Sequence, residues 1–345
     1  MAKTWKAGVI GCGSVAQHLH LPGYMRTPGV ELVAACDPEP ARHKEVRQIK
    51  KNLHLYRDYR EMLAREELDV ISVASPNRFH AEHAVAALEH GAHVLLEKPA
   101  ALSMREIAAI RKALAKSGRQ LIVGFSQRFS RGNRKLNALV RGGVIGEPYM
   151  IRIRFAHSGP YPGWAKDPWF YSPVKAGGGA LLDMGIHAID QAQWHIGPVR
   201  SVQAHTATLR KKIKVEDNAV LLLEFAGGKA LGYIEVGWTS PSGFNGIEVM
   251  GDEGCIITDY TGVMRLTTGK VTPDTKARLK LKTRVIDKAP TTGGWSVEIQ
   301  EVVKAFRRNS NLGSGIDAGG SALAVALAAY ESSRTGKRAK VASIR

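Results

Sequence analysis

Ala7-Gly8-Val9-Ile10-Gly11-Cys12-Gly13-Ser14-Val15-Ala16 is the stretch on which the fold turns. Its first four residues form a short apolar run that reads as a buried strand. The strand passes directly into G-x-G-x-x-A. In that spacing Gly11 permits a tight turn, Gly13 lets the backbone approach a pyrophosphate, and Ala16 allows close helix–strand packing. A helix starting near Ser14 directs its first amides, that of Val15 among them, at the phosphates. Many glycine-rich turns share the spacing, so the neighbouring sequence has to decide.

Outward from this stretch, residues 30–36 read as the next strand, which ends at Asp37. A carboxylate about 20 residues past the glycines is where the ribose hydroxyls of NAD are held, and it repels the extra phosphate of NADP. Arg42 stands near enough in sequence to soften that preference, so NAD is expected, with NADP as the alternative. Asp37 also reads as a helix N-cap ahead of Pro38. Strand and helix signals then alternate. Residues 69–74, 93–96 and 120–125 read as strands, and 59–65 and 80–90 as helices. Ser103 and Glu106 make a capping box for another helix. Such units imply a parallel sheet with helices on both faces, and ligands collect at the carboxyl ends of its strands. Gly11, Asp37, Ser75 and Lys98 all fall at such ends. A lysine there is most often a solvated charge. Beside Pro99 on a ligand-binding edge, its ammonium is placed to donate to a substrate hydroxyl and stabilise developing oxyanion charge.

Farther along, Gly177-Gly178-Gly179-Ala180-Leu181-Leu182-Asp183-Met184-Gly185-Ile186-His187 ends a glycine loop and opens a helix. Leu181, Leu182, Ile186, Ile189 and Trp194 recur at helical spacing, and Gly197-Pro198 stops the run. Asp183 and His187 lie four apart and share a helical face. A carboxylate beside an imidazole tunes a proton acceptor that works near neutral pH. The pair reads equally well as a surface contact worth about 0.3 kcal/mol.

The chain has 345 residues, which suggests two domains, divided here as 1–124 and 125–345. No apolar run is long enough to span a bilayer, and the N-terminus leads into a strand without a signal-peptide core. A cytoplasmic protein without membrane association is expected. Cys12, Cys36 and Cys255 are the only cysteines, and no Cys-x-x-Cys spacing occurs. That argues against a disulfide framework or a zinc site, and no metal is expected. The formal charge of +18 favours anionic ligands. No helix-turn-helix, zinc finger or RNP-like signature accompanies it, so no nucleic-acid partner is expected.

GCGSVA at 11–16, SPNRFH at 75–80, EKP at 97–99 and GGGALLDMGIH at 177–187 occur in this order. Together they resemble the Gfo/Idh/MocA oxidoreductases, named for glucose–fructose oxidoreductase, inositol dehydrogenase and a rhizopine-catabolism protein. The resemblance runs over essentially the whole chain. It implies an α/β protein: an N-terminal Rossmann dinucleotide-binding domain, then a C-terminal α+β domain with a large open, mostly antiparallel sheet. It implies hydride transfer between NAD or NADP and a secondary alcohol of a sugar, cyclitol or sugar derivative. By the same resemblance Lys98 hydrogen-bonds the reacting hydroxyl, His187 accepts its proton, and Asp183 orients substrate and His187. The Lys98–Pro99 peptide is implied to be cis. The cofactor set it implies is Gly11, Gly13, Ser14, Val15, Ala16, Asp37, Ser75, Asn77, His80, Glu97 and Lys98. Two competing readings are a non-enzymatic dinucleotide-sensing regulator and a glycoside-cleaving enzyme that uses NAD transiently. The first would not require Lys98, Asp183 and His187 together.

In the second half, residues 149–155 alternate cleanly, and 216–225 with 229–238 form a hairpin about Gly227-Gly228. Residues 246–250, 255–259 and 279–286 are further strand candidates; 133–141, 296–307 and 316–333 read as helices. A broad sheet face needs cover, and a second subunit supplies it, so a homodimer or homotetramer is expected. The loop at 159–179 carries Tyr161, Trp164, Trp169, Phe170 and Tyr171, which either stack on a sugar or pack the loop down. Lys166, Lys175, Arg128 and Arg154 are candidates for reading an anionic group on the substrate.

Overall fold

Six parallel strands make the first sheet: β1 (Trp5–Ile10), β2 (Val30–Cys36), β3 (His54–Tyr56), β4 (Val70–Val73), β5 (His93–Leu96) and β6 (Leu121–Val123). Their spatial order is β3-β2-β1-β4-β5-β6. The order reverses at the β1–β4 neighbours, and there the crevice of a doubly wound sheet opens. The computed structural model describes residues 3–259, 261–269, 281–288, 294–310 and 312–343. Val9, Ala35, Ile71, Val73, Leu95 and Leu96 are all buried. Strands covered on both faces need such apolar runs, which is why they stood out in the sequence.

Packing gathers Met1–Phe125, Pro160–Gly177 and Trp295–Leu323 into one compact unit, and Ser126–Gly159, Gly178–Gly294 and Ala324–Arg345 into a second. Two segments beyond residue 125 thus belong with the parallel sheet. Helical backbone begins at Ser14, with a π-helical turn over Ala16–His20. The helix after β2 runs Pro40–Ile49 with Glu39 flanking it. This corrects the cap reading of Asp37, because Pro40, not Pro38, takes the first turn. The capping box holds: Ser103 Oγ accepts from Glu106 N, and Glu106 Oε2 accepts from Ser103 N.

The second sheet has nine strands: β7 (Pro148–Ala156), β8 (Val199–Ala207), β9 (Asn218–Phe225), β10 (Leu231–Gly237), β11 (Phe244–Gly251), β12 (Gly254–Thr258), β13 (Met264–Thr268), β14 (Lys282–Asp287) and β15 (Ala339–Lys340). Their order is β14-β13-β12-β11-β7-β10-β9-β8-β15. β7 and β10 pair in parallel, and the other pairs are antiparallel. One register row runs Leu221, Ile234, Ile153, Ile247 and is buried. The next row runs Leu222, Tyr233, Arg152, Glu248 on the opposite face. That face is open: Leu222 is 55% and Leu231 53% exposed. Arg152 pairs there with Glu248 at 2.8 Å, and Arg154 with Glu235 at 2.9 Å. β3, β8, β13 and the two-residue β15 were not anticipated; their sequences lack a sustained apolar alternation. Residues 279 and 280 of the expected strand at 279–286 lie outside the described residues. Among the described residues no helix is long and apolar enough to cross a membrane.

Candidate active site

A cleft of about 990 Å³ opens at the carboxyl ends of β1, β2 and β4, lined by Gly11, Gly13, Asp37, Arg42, Ser75, Phe79 and His83 among others. Gly11 has φ +91°, and a Cβ there would lie 2.5 Å from Ser75 N. Only glycine fits where the first turn meets the strand end of β4. At Gly13 a Cβ would meet nothing within 4 Å among the described residues, and this backbone lines the cleft. Asp37 Oδ2 accepts from Cys12 N at 2.8 Å, and Oδ1 accepts from Glu39 N at 2.9 Å. Each carboxylate oxygen retains a further lone pair for a hydroxyl donor. Ala16 is fully buried against the sheet. This donor set fits a dinucleotide: an open glycine backbone for the diphosphate and a fixed carboxylate for a ribose.

Lys98 stands beyond the end of β5. It lines a smaller recess with Gly13, Ser14, Val15, Ser75, Asn77, His80, Glu97 and Trp164. The Lys98–Pro99 peptide is cis. His80 is buried, with Nδ1 2.7 Å from the Pro99 carbonyl oxygen and Nε2 2.8 Å from that of Ser75. It therefore braces the two loops that carry Ser75 and Lys98. Asn77 Nδ2 donates to the Ala176 carbonyl at 2.9 Å and anchors the segment 160–177.

Behind Lys98 lies a buried polar chain. Tyr24 Oη lies 2.8 Å from Ser72 Oγ, Ser72 Oγ lies 2.9 Å from His20 Nδ1, and His20 Nε2 lies 3.0 Å from Glu97 Oε1, each at hydrogen-bonding distance. Burial acts to raise the Glu97 carboxyl, but the His20 bond and the Lys98 charge hold it below the ordinary Glu range. Glu298 borders the same glycine: a Cβ on Gly124 would stand 3.3 Å from Glu97 Oε1 and 3.4 Å from Glu298 Oε1. Glu298 is 1% exposed, and among the described residues neither oxygen has a hydrogen-bond partner. Burial first, and the Glu97 charge second, push its carboxyl well above the usual range. Burial and the neighbouring charge thus push the two carboxyls apart, Glu97 toward the charged form and Glu298 toward the neutral one.

The segment 160–177 lies along the glycine turn. Lys166 N donates to Ser14 Oγ at 3.2 Å, and Lys166 Nζ reaches Gln17 Oε1 at 2.6 Å and Glu45 at 3.1 Å. Trp169 stacks on Phe170, with Trp164 edge-on to it. Of the cations singled out for an anionic substrate, Lys166 is thus engaged at the glycine turn, and Lys175 lines the large cleft. Arg128 is buried in a bidentate pair with Asp190 at 2.7 and 2.8 Å, and Arg154 pairs on the open sheet face. Those two arginines hold structure.

In the second unit Asp183 and His187 are 7% and 8% exposed, so they do not form a surface pair. Asp183 lies in a π-helical turn, Leu181–Gly185, which passes into the α-helix Ile186–His195. Trp238 Nε1 donates to Asp183 Oδ2 at 3.1 Å, and the His187 ring meets Phe155 edge-on at 6.3 Å. The glycines before this helix have a cause. Glu216 Oε1 accepts from Gly179 N (2.8 Å), Leu181 N (3.0 Å) and Tyr330 O–H (2.8 Å), satisfying amides at the helix start. A Cβ on Gly179 would lie 1.9 Å from the Glu216 carbonyl oxygen. Sequence reading missed Glu216, Trp238, Glu298 and the ties of Lys166 and Asn77. No local spacing marks them, since each partner lies tens of residues away or more.

Comparison with known proteins supports the same assignment. Residues 5–125 match the model of an oxidoreductase family with an NAD-binding Rossmann fold, and residues 133–257 match the GFO/IDH/MocA C-terminal domain. A D-glucoside 3-dehydrogenase of Escherichia coli (strain K12) is 36% identical over 203 residues, 58% of this chain and 57% of the relative. The match therefore spans little more than half of that enzyme. A myo-inositol 2-dehydrogenase of Thermotoga maritima is 30% identical over 74% of this chain and 75% of its own length. Among solved structures, GenD2 from gentamicin A biosynthesis, in complex with NAD, superposes with a TM-score of 0.84 at 25% identity, covering 99% of this chain and 98% of that one. The chain belongs to the Gfo/Idh/MocA family of NAD-binding oxidoreductases.

Proposed function

We propose that this member of the Gfo/Idh/MocA family is an NAD-dependent dehydrogenase that oxidises a secondary alcohol of a sugar, cyclitol or sugar derivative. Bound NAD supplies the acceptor for the hydride leaving the carbinol carbon. Lys98 donates a hydrogen bond to the reacting oxygen and stabilises its alkoxide character. His187 takes the hydroxyl proton as the carbonyl forms, and Asp183 fixes the ring of His187. Gly11, Gly13, Ser14, Val15 and Ala16 cradle the diphosphate, and Asp37 takes the adenosine ribose. Ser75, Asn77, His80 and Glu97 shape the wall from which Lys98 projects.

One observation carries this reading: Lys98 shares a recess with the glycine turn, and Gly13 of that turn also lines the cleft that holds Asp37. The names of the relatives, a glucoside and an inositol dehydrogenase, support the substrate class. A panel of glucosides, free sugars and cyclitols with NAD, followed by NADH absorbance, tests it. Turnover of at least one compound is expected; a protein that binds NAD but reduces none of it across the panel rules the assignment out.

The open face of the nine-stranded sheet is assigned as the contact with a second copy, because Leu222, Leu231 and Val220 are exposed in neighbouring strands. Sedimentation showing only monomer at micromolar concentration would exclude that. A reducing, cytoplasmic setting suits the three free cysteines.

A further inference from the structure

Arg42 is the cation nearest in sequence to Asp37, and it lines the same cleft. A guanidinium in that corner is suited to bidentate recognition of a phosphate, which would open the site to NADP. Here the guanidinium is already engaged on both sides. NH1 donates to Glu45 Oε2 at 3.0 Å, and NH2 donates to Asp167 Oδ2 at 2.9 Å; the side chain is 15% exposed. Glu45 Oε2 also accepts from Gln17 Nε2 at 2.6 Å and pairs with Lys166 at 3.1 Å. Glu45 and Asp167 thus bracket the Arg42 guanidinium, Glu45 holds Lys166 as well, and the Asp37 carboxylate lines the same cleft, so three carboxylates stand with two cations in this corner. Asp167 arrives from the 160–177 segment, far along the chain. Its Oδ1 accepts from Trp169 N at 3.1 Å, which fixes the carboxylate so that Oδ2 faces Arg42.

We propose that Asp167 is a cofactor-specificity residue that works through Arg42: it withholds the guanidinium from a 2′-phosphate and so reserves the cleft for NAD. This rests on Asp37 being the ribose carboxylate. A dianionic phosphate placed there would face an excess of carboxylate charge and no uncommitted guanidinium at Arg42. Removing the Asp167 charge balances the cluster and releases one edge of the fork.

The test compares dissociation constants for NAD and NADP by calorimetry in the wild type, Asp167→Asn, Arg42→Ala, the double variant and Asp37→Ala. Asparagine keeps an oxygen for Trp169 N, so the turn persists. In Asp167→Asn the NADP-to-NAD ratio of dissociation constants is expected to fall about tenfold, through tighter NADP binding. The double variant should return it to within about twofold of the wild type, and Arg42→Ala alone should barely move it. An unchanged ratio in Asp167→Asn, with a shifted ratio in Asp37→Ala, overturns the Asp167 inference and leaves the ribose reading standing. A ratio unmoved by Asp37→Ala overturns the ribose reading itself, and this inference with it. A gain in Asp167→Asn that survives loss of Arg42 also overturns it, because another cation, such as Arg57, which lines the same cleft, would then be taking the phosphate.

Discussion

The cleft of the first unit and the Asp183–His187 helix of the second are built in opposite ways. The cleft is made from backbone: a turn with φ +91° at Gly11, an open amide face at Gly13, and a carboxylate two bonds deep in main-chain amides. The helix is made from distant side chains: Glu216 and Tyr330 at its start, Trp238 on Asp183 and Phe155 against His187. A site made of backbone tolerates side-chain change unless the change fills space. One made of buried side chains loses its partners one at a time, and each loss leaves a polar group unsatisfied.

The largest expected effect separates chemistry from binding. His187→Ala should lower kcat by about 10²–10⁴-fold while leaving the NAD dissociation constant within about twofold. Equal losses in both would mean that His187 belongs to cofactor binding. Next in size, Glu216→Ala strips the acceptor from two amides and the Tyr330 hydroxyl. A cost of about 3 kcal/mol is expected, lowering Tm by roughly 6–12 °C with NAD affinity kept. A Tm shift under about 2 °C would show that the helix start does not depend on Glu216. Gly13→Ala should do the reverse. Its Cβ meets no atom of the described residues within 4 Å, so Tm should hold while NAD binds about tenfold more weakly; undiminished affinity would remove Gly13 from the diphosphate site.

The smallest effect probes the carboxyl pair behind Lys98. The folded chain holds a proton on Glu298 that the unfolded chain releases above the ordinary Glu range. That contribution to stability is full below the unfolded pKa and is lost as pH rises toward the elevated folded one. Glu298→Gln should therefore flatten the decline of Tm with rising pH and raise Tm near pH ~8 by roughly 2–4 °C. Parallel melting curves for the two proteins across that range would show Glu298 to be ionised like any surface carboxylate.

Each region was legible in proportion to how local its forces are. The G-x-G-x-x-A turn, the carboxylate after β2, the capping box at Ser103 and Glu106, and the hairpin about Gly227-Gly228 depend on residues within a few positions or one strand–helix unit. Sequence periodicity reports such forces directly. β8 and β13 escaped notice because their strand state comes from pairing with neighbours rather than from their own pattern. Lys166, Arg128 and Arg154 had looked like substrate cations because charge is visible in a sequence and its partner is not.

Sequence alone determined the parallel sheet, the glycine turn and the identity of the polar side chains at the strand ends. Short-range sterics and hydrophobic burial suffice to specify these. Only the tertiary structure decided which charges are already committed: Arg42 to Asp167, Arg128 to Asp190, Glu97 to His20. Those commitments are electrostatic and act across 62 positions in one pair and 125 in another. Chain order carries no record of which distant carboxylate a given cation will meet.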